Sequence, residues 1–310
     1  MYELHKILVP TDFSKHSENA LEHAVYLGSK FHSEITVLHV DELSVSPVGA
    51  SVPDDDLLRR FTERQQAFAE EQFLRVRHGV EGYPVTLRTM VVQGRAYKAI
   101  VEESERKDYD LIVIATRGLT HLAQHLIGST AERVVRFSRQ PVLSIQQAPK
   151  PGGVINSVLC PTDLSPAGNA ALSYAFSMAR QSGAKLFVQY ISELEKPVSR
   201  EQLMDRLPPL TEHYPQLHEV EWEFICDRDV EPSNSIIRFA EDRDVGLIVM
   251  SAHGRKGLRR AYIGNNTAEV VRQSTRPVLT VTHPFHRRIF EHPLTEKSEP
   301  TFSPSTTTPK

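Results

Sequence analysis

The chain has 310 residues, of which 40% are hydrophobic and 24% charged, a length and balance typical of two ordinary folded domains. Its formal net charge of −3 gives no overall positive field, which argues against nucleic acid or an acidic membrane as a partner. No apolar run approaches the ~18 residues of a membrane helix, and the first one is too short for a signal peptide. The sequence therefore predicts a cytoplasmic protein.

Short aliphatic runs alternate with amphipathic stretches through the first 145 residues. The runs are apolar on both faces, which predicts strands buried in a parallel sheet, at residues 7–9, 35–40, 85–92, 111–115 and 142–145. The stretches between them predict helices over residues 18–30, 54–77, 96–106 and 129–138. This order predicts a doubly wound α/β domain with a parallel sheet and right-handed crossovers.

The rest of the chain repeats this pattern. The matching segments are KILVPTDFS (6–14) with SVLCPTDLS (157–165), DLIVIATRG (110–118) with GLIVMSAHG (246–254), and RQPVLSI (139–145) with TRPVLTV (275–281). Two tandem domains of one fold are therefore expected.

The domain boundaries follow from the composition between and after the repeats. We expect domains over residues 1–146 and 154–282, with a Pro- and Gly-containing linker over 147–153. Residues 283–310 are rich in Pro, Ser and Thr without periodicity, which predicts a disordered tail. The closing strands should lie at sheet edges, and should pair with each other within one chain or across a homodimer.

Two loops of the first domain should meet beyond the carboxyl ends of the strands, where open parallel sheets bind ligands. One loop is Pro10-Thr11-Asp12, and the other contains Ala115, Arg117 and Gly118. Gly118 permits a turn and close backbone approach. Gly128, Ser129 and Thr130 then offer backbone N–H groups and hydroxyls at a helix start, which favours binding of an anion such as phosphate.

Simpler interpretations of these residues need no ligand. Ser129 and Glu132 fit a capping box that only starts the helix. Asp12 can equally cap the helix that follows it. A glycine after a strand can be only a turn.

The motifs together resemble the universal stress protein family in tandem form. The resemblance rests on ILVPTDFS, DLIVIATRG and IGSTAERVVRFSRQPVLSI. It implies two Rossmann-like domains, of the adenine nucleotide alpha hydrolase-like type, that form a pseudo-dimer. The ATP-binding branch of the family has G-x2-G-x9-G-[S/T], which falls here on Ala115, Gly118, Gly128 and Ser129.

The resemblance thus implies ATP as the ligand, with Mg²⁺ accompanying the triphosphate. It also implies that Asp12 contacts the adenine–ribose side and that the backbone near Val40 lines the base pocket. Ala115 departs from the motif, and its methyl group either fits beside the ligand or crowds it.

The second domain departs further from the motif. Ser251 replaces the first glycine, Gly254 and Gly264 remain, and Asn265 stands where Ser or Thr is expected. Asn is a good helix N-cap, so the helix is still expected to start there. The hydroxyl that the family directs at phosphate is missing, and we expect an impaired or lost second site.

Other candidate sites are weaker. Arg255, Lys256, Arg259 and Arg260 can neutralise a phosphate or simply lie in solvent. His121 and His125 are four residues apart but lack a third ligand, so no metal site is predicted.

The function expected from the sequence is a stress-response regulator whose ATP occupancy biases its contacts with a regulatory protein partner. No catalytic residues are predicted, and any hydrolysis should be slow because no general base or phosphate-binding Lys is evident in the first site. One alternative is a scaffold without nucleotide. Another is an enzyme of a related α/β fold, which would need a Gly-rich or HIGH-type motif that neither PTDFS nor PTDLS supplies.

Overall fold

The computed structural model describes residues 4–42, 55–118, 127–148, 155–192, 218–252 and 264–282. The first half contains, in chain order, β1 (Lys6–Thr11), α1 (Lys15–Phe31), β2 (Glu34–Asp41), α2 (Asp55–Gly79), β3 (Thr86–Gln93), α3 (Ala96–Arg106), β4 (Leu111–Ala115), α4 (Ser129–Phe137) and β5 (Val142–Ile145). The second half contains β6 (Ser157–Thr162), α5 (Pro166–Ser182), β7 (Lys185–Ser192), β8 (Trp222–Arg228), α6 (Pro232–Asp242), β9 (Leu247–Ser251), α7 (Asn265–Gln273) and β10 (Val278–Val281).

The predicted elements of the first half are all present, with ends shifted by a few residues. The largest shift at a helix start is in α1, which begins at Lys15 rather than residue 18. Ser14 is its N-cap, and the Ser14 hydroxyl accepts a hydrogen bond from the N–H of Ser17 at 3.2 Å. That bond satisfies one of the N–H groups left unpaired at the helix start and so fixes where the helix begins.

All ten strands form one sheet, in the order β3-β2-β1-β4-β5-β10-β9-β6-β7-β8. Strands within each half are parallel, whereas β5 and β10 pair antiparallel at the centre with Leu143 opposite Leu279. The mirrored strand order relates the two halves as a pseudo-dimer. The closing strands therefore pair within one chain, which is the first of the two predicted arrangements, and a homodimer stays a prediction.

Two apolar layers cover the sheet. One layer lies beneath α1, α2 and α5, with Ala24, Phe73 and Ala175 among its buried residues. The other lies beneath α3, α4, α6 and α7, with Ile100 and Val270 among its buried residues. Of the helices in the described ranges, none has the length and apolar character needed to cross a membrane.

The junction between the halves includes one titratable side chain. His23 of α1 lies 3.2 Å from the carbonyl oxygen of Gln147, directly after β5, through its Nε2. Burial lowers the pKa of His23 to about 4. His23 is therefore neutral near pH 7, and its Nε2–H donates to Gln147. Residues 149–153 of the predicted linker and the whole predicted tail lie outside the described residues.

Candidate functional site

The loop after β1 is a tight turn held by its own side chains. The Asp12 carboxylate accepts from the N–H of Ser14 at 3.0 Å, and the Thr11 hydroxyl accepts from the N–H of Phe13 at 2.9 Å. Phe13 has a φ of 60°, a left-handed conformation that non-glycine residues seldom adopt. Because Ser14 caps α1, the interpretation of Asp12 as the helix N-cap is wrong. The Asp12 carboxylate instead shapes the turn.

The two predicted loops do meet, at Asp12 and Gly118. A Cβ atom added to Gly118 would lie 2.5 Å from Oδ2 of Asp12, which is closer than real Cβ contacts allow. A Cβ atom at position 118 would displace the Asp12 carboxylate, so glycine permits this close approach of side chain to backbone. Arg117, next to it, is half-buried.

The start of α4 is held by backbone and has no side-chain cap. Gly128 is the N-cap, in an extended conformation with φ −65° and ψ 142°, and its N–H donates to the carbonyl of Thr116 at 2.7 Å. Ser129 is already the first helical residue and is exposed, so the predicted Ser129–Glu132 capping box is wrong. Glycine has no side chain to satisfy the first N–H groups of the helix, which leaves those groups available to an anion.

The remaining predicted residues lie along the same edge of the sheet, where β2, β1 and β4 are neighbours and end. Pro10 is buried within β1, Val40 is half-buried near the end of β2, and Thr130 is half-buried in the first turn of α4. Ala115 ends β4, is 9% exposed, and belongs to the apolar layer beneath α1 and α2. Its methyl group therefore packs in the core.

His39 supports the site, and the sequence analysis did not single it out. Its Nδ1 lies 3.0 Å from the carbonyl oxygen of Thr11, and its ring lies 4.6 Å from the ring of Phe13. Ser14 was missed as well, although a serine directly before an amphipathic run is a standard helix-start signal that could have found it. No sequence signal points to the Phe13–His39 contact, because the two residues lie near the ends of different strands.

The second half repeats the backbone of this site. Gly264 is the N-cap of α7, with φ −61° and ψ 143°, and its N–H donates to the carbonyl of Ala252 at 2.8 Å. The expectation that Asn265 is the N-cap is therefore wrong, and Asn265 is the first helical residue. The hydroxyl of Thr267 donates to the carbonyl of Ser251 at 2.9 Å, a contact that Ala131 cannot make at the matching place in α4.

The aspartate of the second half is used differently. Oδ1 of Asp163 accepts from both the N–H and the hydroxyl of Ser165, at 2.9 Å and 2.5 Å. A Cβ added to Gly168 would overlap the same oxygen. The first half has Ser17 at that place, bonded to the Thr11 hydroxyl at 3.0 Å. Asp163 therefore lies against the helix that follows it, whereas Oδ2 of Asp12 faces the loop after β4.

Some predicted residues cannot be placed in this comparison. Gly254, the basic cluster over 255–260, and the pair His121 and His125 lie outside the described residues. Across the ranges that the structure covers, no group of three or more His, Cys, Asp or Glu side chains could hold a metal ion.

The fold and the glycine-bounded edge define a tandem Rossmann-like α/β protein. The model of the universal stress protein family matches residues 3–146 and again residues 155–282. The chain therefore belongs to the universal stress protein family, with two domains of that family in tandem.

Individual relatives agree with this assignment. A universal stress protein of Methanocaldococcus jannaschii is 33% identical over 47% of this chain and 84% of its own length. One from Mycolicibacterium smegmatis is 25% identical over 89% of this chain and 96% of its own. A solved universal stress protein from Archaeoglobus fulgidus covers 91% of this chain and 97% of its own, with 22% identity and a TM-score of 0.71, and shares the fold.

A nucleotide appears in one solved relative. A universal stress protein in complex with cAMP matches 47% of this chain and 99% of its own, with 20% identity and a TM-score of 0.34. The cAMP was found in that relative.

Proposed function

We propose that this chain is an ATP-binding regulatory protein of the stress response, with its nucleotide site in the first half. The observation that carries the proposal is the meeting of Asp12 with Gly118 beside the uncapped start of α4 at Gly128. An acidic group for sugar hydroxyls and a set of free N–H groups for phosphates then lie at one edge of the sheet.

The phosphates bind at the start of α4 in this proposal. The N–H groups of the first turn and the hydroxyls of Ser129 and Thr130 are the donors, and the helix dipole adds a favourable field for negative charge. The exposure of Ser129 supports this role, because a hydroxyl used inside the fold would be buried. Mg²⁺ accompanies the triphosphate in this proposal.

The adenosine lies across the ends of β1 and β2. The Asp12 carboxylate accepts from the ribose, and the backbone near Val40 lines the base. The turn that carries Asp12 is fixed before the ligand arrives, by Thr11, Phe13 and Ser14, and such preorganisation reduces the entropy lost on binding. The half-buried Arg117 stands beside Gly118, where it lines the loop.

In this proposal the protein acts through the presence or absence of bound ATP. Bound ATP changes the surface that a regulatory protein partner meets in the cytoplasm. We expect any turnover to be slow, because none of the site residues that the structure describes is arranged as a general base. The chain acts in this proposal as a nucleotide-dependent switch.

The test is to purify the chain, denature it and identify any nucleotide that is released. ATP at about one equivalent or below supports the proposal, and calorimetry with ATP, ADP and cAMP then ranks the ligands. cAMP is included because a relative was solved with it. No released nucleotide together with no heat of ATP binding would favour a scaffold that binds no nucleotide.

A further inference from the structure

A polar cluster lies inside the second half where the first half is apolar. Gln189 is in the middle of β7, is 0% exposed, and points its amide into the layer beneath α6. Its Nε2 donates to Oδ2 of Asp227 at 2.6 Å and to the hydroxyl of Ser235 at 3.4 Å. Asp227 lies near the end of β8, and Ser235 lies in the first turns of α6.

The strand registers show that this cluster replaces three apolar residues together. In the first half, Leu38 stands at the place of Gln189 and pairs with Met90, as Gln189 pairs with Ile225. Two residues along, Val92 matches Asp227. In the helices of equal length, Ala99 of α3 matches Ser235 of α6. A buried polar group lowers stability unless it is bonded, so three such changes at one spot need a compensating role.

One atom of the cluster has no partner. Oε1 of Gln189 is buried and has no hydrogen bond to any part of the chain that the structure describes. The Asp227 carboxylate, an acceptor only, fixes the amide with its nitrogen towards Asp227, so Oε1 cannot simply exchange places with it. A buried acceptor without a donor lowers the stability of the fold.

Two members of this cluster also line a cavity of about 180 Å³. Asp227 and Ser235 form part of its wall, with Phe239 as an apolar surface. Two further basic groups, Arg228 and Arg238, and one further acid, Asp242, line it. Since water fills about 30 Å³ per molecule in the liquid, this volume suits a small metabolite.

The charges around the cavity select the kind of ligand. Its lining contains two carboxylates and two guanidinium groups, so a ligand with no net charge and both signs is matched best. Asp229 holds Arg238 in position through an ion pair of 3.0 Å. Arg228 and Asp242 have no ion-pair partner among the described residues, and are available to a ligand.

We propose that this cavity of the second half binds a small zwitterion of the amino-acid type. The ammonium group donates to Asp227, and the carboxylate group lies against Arg228 and Arg238. The apolar part of the ligand packs on Phe239. This site is separate from the proposed nucleotide site and does not depend on it.

The test is calorimetry and thermal denaturation of the full chain with each common L-amino acid in turn. We expect one amino acid or a chemically related group to bind and to raise the melting temperature. Asp227→Asn should weaken that binding roughly ten- to a hundredfold, because a charge-assisted hydrogen bond is lost. Glu223→Gln, on the same strand and ion-paired to Lys185, is the control and should bind as the parent does.

A second variant distinguishes loss of binding from loss of folding. The triple change Gln189→Leu, Asp227→Val and Ser235→Ala rebuilds the apolar residues of the first half, so it should fold with equal or higher stability and bind no amino acid. ATP binding, where present, should be the same in all variants. The proposal is overturned if no amino acid binds the parent chain, since the cavity then holds only water. It is also overturned if the triple variant still binds.

Discussion

The two halves of the sheet share a backbone at the helix that follows the fourth strand, and differ in how the aspartate after the first strand is used. Gly128 and Gly264 have nearly the same φ and ψ, and the N–H of each donates to the carbonyl of the first residue past the strand end. Both aspartates accept from the N–H two residues ahead, but Asp163 also accepts from the Ser165 hydroxyl and lies against Gly168, where the first half has Ser17. Asp12 lies against Gly118, whose match Gly254 is outside the described residues. A repeated backbone therefore does not imply a repeated site, because the side chains decide which donors and acceptors face a ligand.

The largest expected effect comes from replacing the N-cap glycine of α4 with a larger residue. Valine adopts extended backbone readily, so Gly128→Val should fold, and its side chain should block close approach of phosphate. We expect ATP affinity to fall more than about a hundredfold, below detection by calorimetry. Gly264→Val is the matched control, with φ −61° and ψ 143°, and should bind ATP as the parent does. Equal losses in both variants would show that the halves do not differ.

Acid should weaken the junction of the halves through His23. The pKa of His23 is about 4 when folded and 6.5 ordinarily, so the unfolded chain takes up the proton first. The contribution of neutral His23 to the free energy of unfolding is therefore complete above pH 6.5 and is lost as the pH falls towards 4. The loss is on the order of 3 kcal/mol.

The measurement is urea denaturation across that pH range. Tyr174 stands at the matching place in α5. His23→Tyr therefore introduces the residue of the second half, and it should remove this part of the pH dependence. His218→Tyr, at an exposed position, is the control. A parent profile unchanged by His23→Tyr would contradict the assignment.

Removing the two aspartates should separate their roles. Asp12→Ala removes an acceptor from the ribose side and should lower ATP affinity roughly ten- to a hundredfold. Asp163→Ala should leave affinity unchanged. Both carboxylates accept from the N–H two residues ahead, so both variants should lose a similar stability of about 1 kcal/mol, measured by denaturation. Similar loss of binding in both would show that Asp12 acts only through the turn.

The smallest expected effect is that of one hydroxyl. Ser129→Ala should weaken ATP binding by roughly tenfold, because one donor to phosphate is lost. Asn265→Ser should not create a second site, because Asp163 remains bonded to Ser165. Calorimetry that finds a second ATP in Asn265→Ser would show that the hydroxyl alone separates the halves.

The architecture could be predicted because apolar periodicity and an internal repeat report it directly. The strand at 111–115 has the same bounds in the structure, and the pairing of the closing strands follows from their position at sheet edges. Helix starts were less predictable. Ser129 and Asn265 both have side chains that cap helices well, yet the preceding glycine is the N-cap in each, since its N–H bonds the strand end.

The meeting of the two loops was predictable, and the orientation of their side chains was not. The meeting of Asp12 with Gly118 follows from the carboxyl-end rule for parallel sheets, whereas the direction of Asp163 depends on Gly168, one turn into α5. The polar cluster at Gln189 was missed because its meaning appears only when Leu38 is known to occupy the matching register. Sequence alone gives no such register between strands.

The number of ATP molecules bound per chain tests the central claim most directly. Isothermal titration of the nucleotide-free chain should show one site per chain, near micromolar affinity, that is absent in Gly128→Val and intact in Gly264→Val. Two equal sites per chain, or binding lost only in Gly264→Val, would contradict the account.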